Sequence, residues 1–227
     1  MISPNIPTNN TLQKQNWNAI QTTVKTALSD AGRSSQDLQI IAVTKTQPSS
    51  VLVDALSVGI STFGENYALE MHEKYSELRA LELEATWHFI GHLQTNKVKL
   101  IAPFVTMIHS VDSLKLAREI SKCAVQNNRR IAILIQVNTS QEDSKSGCPP
   151  DDVIGIAKEI MELQAIDLCG LMTIPSFIAA EEQLRSEFSQ LRQLRDELVA
   201  MFPNSLIHHL SMGMSSDFEI AISEGAT

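Results

Sequence analysis

The sequence predicts an α/β protein built as a single (β/α)8 TIM barrel. Three observations lead there. Apolar runs of strand length alternate with amphipathic stretches of helix length along nearly the whole chain, the pattern of repeated βαβ units. Several runs, such as Ile131-Ala132-Ile133-Leu134-Ile135-Gln136-Val137, are apolar along most of their length, as parallel strands covered on both faces are. Notable polar residues also recur at nearly every run's carboxyl end, where barrels assemble their sites. A doubly wound sheet shares the first two features. It would carry a glycine-rich turn after its first strand, and Thr44-Lys45-Thr46-Gln47-Pro48 contains no glycine.

Residues 1–10 are polar and rich in Pro and Asn, so they are expected to fray, leaving 11–227 as one barrel domain. Residues 11–32 read as a helix, with Leu12, Ile20, Val24, Ala27 and Leu28 on one stripe and Gly32 as its stop. Strands are then expected at 39–45, 61–66, 86–91, 106–111, 130–138, 167–174 and 208–213. Helices are expected at 48–58, 67–83, 93–101, 113–127, 150–163, 179–201 and 216–224. That is seven strands for a fold that needs eight, so the last strand is expected to be missing from this chain.

Composition narrows the function. The chain has 227 residues, 43% of them hydrophobic and 19% charged, enough to bury a large core. A net charge of −8, with no basic cluster larger than Arg129-Arg130 or Lys97-x-Lys99, argues against a nucleic-acid surface. No apolar stretch reaches membrane-spanning length, and the amino terminus lacks the basic and apolar regions of a signal peptide. Three dispersed cysteines, Cys123, Cys148 and Cys169, fit a reducing cytoplasm better than a disulfide framework or a zinc site.

The strand ends carry Lys45, Glu65-Asn66, His88 with Gly91, Asp112, Asn138, Thr173-Ile174-Pro175 and the run Ser211 to Ser215. Lys45 stands out, because a lysine closing a buried strand is costly unless it is paired, lowered in pKa or engaged as a Schiff base. It could equally leave the barrel for solvent or a carboxylate. Glu65 would oppose a lowered pKa if it faced Lys45.

Ser211-Met212-Gly213-Met214-Ser215 leads from the seventh strand into a helix, with hydroxyls and a flexible glycine suited to a phosphate. Ser216-x-x-Glu219 is also a capping box that needs no ligand, and Asp217 suits a first helical turn without one. His88 and His92 straddle a strand end and do not share a helix face as zinc ligands do, so no metal is expected. His88 reads as a hydrogen-bonded residue inside the barrel, and of His208-His209 one ring should face in and one out. Asn66 either meets a ligand or caps a helix. Met172, Met212 and Met214 read as core filler more readily than as ligand contacts. A lysine at one end and a phosphate turn at the other suit an aldehyde-phosphate cofactor.

These motifs resemble a known family. Thr44-Lys45-Thr46 with Pro48, Phe63-Gly64-Glu65-Asn66-Tyr67, Trp87-His88-Phe89-Ile90-Gly91, Leu93-Gln94-Thr95-Asn96-Lys97, Ser144-Lys145-Ser146-Gly147, Gly170-Leu171-Met172-Thr173-Ile174-Pro175 and Leu210-Ser211-Met212-Gly213-Met214-Ser215 are similar to the pyridoxal phosphate homeostasis proteins, the YggS/PROSC/PipY family. The resemblance covers roughly residues 10–227. It implies a barrel like the N-terminal domain of alanine racemase, with pyridoxal 5′-phosphate (PLP) held by Lys45 as a Schiff base. It implies that Ser211 and Met212, Gly213, Met214 and Ser215 help hold the phosphate, with Asn66, His88 and Met172 lining the pocket.

It further implies a monomer that passes PLP to PLP-dependent apoenzymes. The family continues past Gly225-Ala226-Thr227 into a last strand with an Arg-x-Gly-Thr motif that adds cofactor contacts and closes the barrel. The expected role is PLP homeostasis without catalysis. A racemase-like enzyme is the alternative, and it would need a second acid/base opposite Lys45 that the sequence does not evidently supply. A cofactor-free Schiff-base aldolase would suit the fold and the phosphate turn but not these motifs.

Overall fold

A computed structural model describes residues 9–142, 145–176 and 180–227. Residues 1–8, Ser144 of the Ser144–Gly147 motif and position 179 of the expected 179–201 helix lie outside the described residues. Among the described residues, seven strands form one sheet: β1 (Ala42–Val43), β2 (Thr62–Glu65), β3 (Thr86–Phe89), β4 (Met107–Val111), β5 (Ile131–Gln136), β6 (Ile166–Met172) and β7 (His209–Ser211). All pairings are parallel and each strand lies beside its neighbour in sequence. That unreversed order is barrel winding; a doubly wound sheet reverses direction at its switch point. The expected barrel-type fold is therefore present with seven strands, and among the described residues β1 and β7 remain its two edges. Thr227 reaches toward both. Its carbonyl oxygen accepts the Gln39 N–H at 2.7 Å, and its N–H donates to Leu210 O at 3.0 Å.

Among the described residues, eight α-helices accompany the strands: α1 (Asn9–Asp30), α2 (Ser49–Ser57), α3 (Ala68–Ala80), α4 (Val98–Ile101), α5 (Leu114–Gln126), α6 (Val153–Met161), α7 (Glu181–Met201) and α8 (Phe218–Ser223). None is long and apolar enough to cross a membrane. The core lies between sheet and helices, where Phe63, Phe89, Ile108, Ile131, Ile133 and Ile135 share one buried cluster with Leu52, Met71, Leu78, Ile101, Ile120 and Ile160. Burying side chains of this size contributes about 1.5–3 kcal/mol each.

Two sequence expectations need correction. β1 is two residues long, not seven, because an edge strand has only β2 to pair with; the ladder runs on just to Thr44, whose N–H donates to Gly64 O at 3.1 Å. In α1 the buried stripe is confined to Val24 and Leu28, which pack on Ile222 of α8, while Leu12 and Ile20 are exposed.

Candidate functional site

Register and alternation decide what faces the barrel interior. Directly paired residues of parallel strands point to the same side. The pairings Val43↔Gly64, Gly64↔His88 and His88↔Met107 therefore define one inner row. Gln136↔Met172 and Met172↔Ser211 extend the inner face to β7, nearer the carboxyl ends. Direct contact confirms the curvature: His88 Nδ1 lies 2.8 Å from His109 Nε2, and His109 Nδ1 lies 2.7 Å from Ser211 Oγ. This line of side chains joins β3, β4 and β7 across the interior.

Lys45 follows the last ladder residue of β1. Thr44 is buried and turns outward, its hydroxyl donating to Glu65 Oε1 at 2.7 Å, so alternation sends Lys45 to the opposite, inner side. The expected cost of burying Lys45 does not arise, because its side chain is exposed at the mouth. Its backbone, however, is tightly held. Lys74 Nζ donates to Thr44 O at 2.6 Å, and Glu70 Oε1 accepts the Thr46 N–H at 2.5 Å. Lys74 also pairs with Glu65 at 2.6 Å and Glu70 at 2.7 Å. Glu65 thus faces Lys74 behind the sheet and does not oppose Lys45. The clamp holds Thr46 at φ 64, a left-handed conformation that a β-branched residue adopts at a cost of about 1–3 kcal/mol.

Asn66 sits at the end of β2 with its backbone packed on Gly91; a Cβ there would stand 2.3 Å from Asn66 O. Its side-chain Oδ1 is buried without a hydrogen-bond partner among the described residues. Such an orphan acceptor costs about 1–3 kcal/mol unless a donor meets it. Met172 is buried beside Ser211 in register. The Ser211–Ser215 turn pivots on Gly213 at φ 94, where a Cβ would collide with Ala221 Cβ at 2.7 Å.

The turn does not use the expected capping box. α8 starts after Asp217, whose carboxylate makes no capping bond and instead turns back to accept the Met214 N–H at 2.5 Å. Asp217 is thereby committed within the protein. The N–H groups of Gly213, Ser215 and Ser216 find no acceptor among the described residues, so they remain available to an anion. A cleft of about 390 Å³ between α1 and the strands' amino ends, lined by Trp17, Lys25 and Ile60, lies at the opposite end of the fold from these groups.

Burial sets the charge of the histidines. Desolvation first, and then His209, lowers His88 to about 4. Desolvation, then His88 and His209, holds His109 well below the usual range. Both are neutral when folded and titrate near the usual 6.5 when unfolded. Below that pH the unfolded chain takes up protons that the folded protein cannot. Stability is then lost as pH falls from 6.5 toward about 4, by about 1.4 kcal/mol per pH unit for each imidazole. Urea midpoints measured across this window are expected to fall less steeply for His109→Asn than for the parent. Equal slopes would contradict the assignment.

The candidates Lys45, Asn66, His88, Met172 and Ser211–Ser215 all lie at the carboxyl ends of the strands or in the turns that follow. His109, a lone histidine in an apolar strand, and Lys74, which reads as one half of a solvated Glu-Lys pair, are not among the residues that the sequence singles out. As expected of His208-His209, His208 is exposed and His209 turns inward.

Comparison with known proteins identifies the family and the fold. The alanine racemase, N-terminal domain family matches residues 15–224. A pyridoxal phosphate homeostasis protein from Aquifex aeolicus is 43% identical over 204 residues, covering 90% of this chain and 88% of that one. A crystal structure of an unknown protein from Bifidobacterium adolescentis superposes with a TM-score of 0.89 at 36% identity, covering 95% of this chain and 90% of that one. PipY of Synechococcus elongatus, solved with PLP bound, superposes with a TM-score of 0.79 at 32% identity, covering 90% and 95%.

Proposed function

We propose, for a chain that belongs to the alanine racemase N-terminal-domain family and within it to the pyridoxal phosphate homeostasis proteins, that it binds PLP at the carboxyl ends of its strands and holds it for supply to PLP-dependent apoenzymes, without turnover. The observation that carries the reading is the convergence at one mouth of an exposed amine, an orphan acceptor and an open anion turn. PLP supplies an aldehyde that condenses reversibly with a lysine amine, and a phosphate that orients it. Lys45 is the amine, aimed inward by the Thr44–Glu65–Lys74 arrangement. The Ser211 hydroxyl and the free N–H groups of the Met212–Ser215 turn suit the phosphate. Asn66 Oδ1 would accept a hydrogen from the ligand, while His88 and Met172 line the inner face beside it. Binding of PLP by PipY, a relative at 32% identity, supports the same ligand here.

We further propose that the protein acts as a monomer in the reducing cytoplasm; its three unpaired cysteines favour that compartment. The non-catalytic role is supported by where the two tyrosines lie. Racemisation needs acid/base groups on both faces of the bound substrate. Tyr75 is stacked on Phe104 at 3.9 Å between ring centres, behind the sheet, and Tyr67 is exposed ahead of α3. PLP added to the protein is expected to give an absorbance band near the visible edge, with no racemisation of free amino acids above buffer. Robust turnover would overturn the carrier reading in favour of a racemase.

A further inference from the structure

We infer that His109 is a positioning residue that couples anion binding at Ser211 to the tautomer of His88, so that filling the phosphate turn decides whether His88 Nε2 offers a hydrogen or a lone pair inside the barrel. The inference rests on the proposal that the Ser211–Ser215 turn takes a phosphate.

Hydrogen counting carries it. The chain His88 Nδ1···His109 Nε2···His109 Nδ1···Ser211 Oγ contains two contacts, at 2.8 and 2.7 Å. Both rings are buried and neutral, and a neutral imidazole has one N–H and one bare nitrogen. Each contact needs one hydrogen, so only two arrangements satisfy both. In the first, His88 Nδ1–H donates to His109 Nε2 and His109 Nδ1–H donates to Ser211 Oγ. The serine hydrogen is then free to point into the mouth, and His88 Nε2 is bare. In the second, every hydrogen runs the other way. Ser211 donates to His109 Nδ1, His109 Nε2–H donates to His88 Nδ1, and His88 Nε2 carries the hydrogen.

The two arrangements make the same contacts and carry the same charge. They differ at the ends, one at the phosphate turn and one at His88 Nε2, which has no partner among the described residues. A phosphate dianion has only acceptors to offer, so it selects the first arrangement, in which Ser211 donates. His88 Nε2 then becomes an acceptor. His209, the other histidine turned into the interior, does not interrupt the chain, because its Nδ1 contacts Thr227 Oγ1 at 3.2 Å. The ligand class follows: an anion at one end and a hydrogen donor within reach of His88 satisfy both termini together.

The test is ¹⁵N spectroscopy of the histidine rings at neutral pH, with His88 assigned through His88→Gln. The probes are inorganic phosphate alone and then PLP. Two arrangements of equal contacts and charge leave both His88 nitrogens at intermediate positions without ligand; saturating phosphate is expected to move Nε2 into the unprotonated range and Nδ1 into the protonated range, and Ser211→Ala is expected to abolish the change. A His88 tautomer that is the same with and without phosphate, or that keeps Nε2–H when phosphate is bound, overturns the inference. If PLP still gives its visible band in that case, only the coupling is wrong. If neither phosphate nor PLP binds, the cofactor reading fails and the coupling falls with it. His109→Asn should retain the visible band while the phosphate-dependent change at His88 is lost, an outcome that a purely structural role for His109 would not produce.

Discussion

Replacing Lys74 with methionine is expected to destabilise the protein by about 3–5 kcal/mol, the cost of leaving one partner of a buried ion pair behind. Lys74 is 4% exposed and Glu65 is fully buried. The ammonium makes three hydrogen bonds at once, to Glu65, Glu70 and Thr44 O. Without it the Glu65 carboxylate keeps, among the described residues, only the Thr44 hydroxyl, since its second oxygen already lacks a partner there. Replacing both residues, Glu65→Leu with Lys74→Met, should recover much of the loss, because a buried ion pair exchanged for well-packed apolar groups is often neutral. Urea denaturation of the single and double variants measures both effects. A loss below about 1 kcal/mol in the single variant, the range of an exposed pair, would show that the cluster is not a clamp.

The same cluster links stability to the proposed chemistry. Lys74 holds the carbonyl just before Lys45 and Glu70 holds the N–H just after it. Lys45→Ala touches none of these bonds, so the fold is expected to persist while the visible band disappears entirely. What remains would be the phosphate and hydrogen-bond contacts. Hydrogen bonds to charged groups contribute about 1.5–3 kcal/mol each, so PLP should still bind weakly with the spectrum of the free aldehyde. An unchanged band in Lys45→Ala, measured by absorbance titration against the parent, would move the attachment point elsewhere.

Much of this was legible in the sequence, for identifiable reasons. Ile131–Gln136 announces a doubly covered strand because five of its six residues are apolar. The inward Ser211 and Met172 follow from strand-end position alone, since parallel strands bring their carboxyl ends to one mouth. The extent of β1 was not legible. The run 39–45 has strand composition, but strand length also depends on how many neighbours supply hydrogen bonds, and β1 has one.

His109 was hidden for a different reason. One histidine among Met107, Ile108, Ser110 and Val111 reads as core, and only register places it between His88 and Ser211. Lys74 was hidden because a Glu-x-x-x-Lys pair on a charged helix normally faces water. The available signal was Glu65, a carboxylate at the end of an apolar strand that had to find a cation nearby.

Reducing the PLP-loaded protein with borohydride and mapping the modified peptide shows whether this barrel holds PLP through one particular lysine. A single modified residue is expected, Lys45, with the phosphopyridoxyl group on its Nζ. Modification of Lys74, Lys145 or any other lysine in place of Lys45 would contradict it.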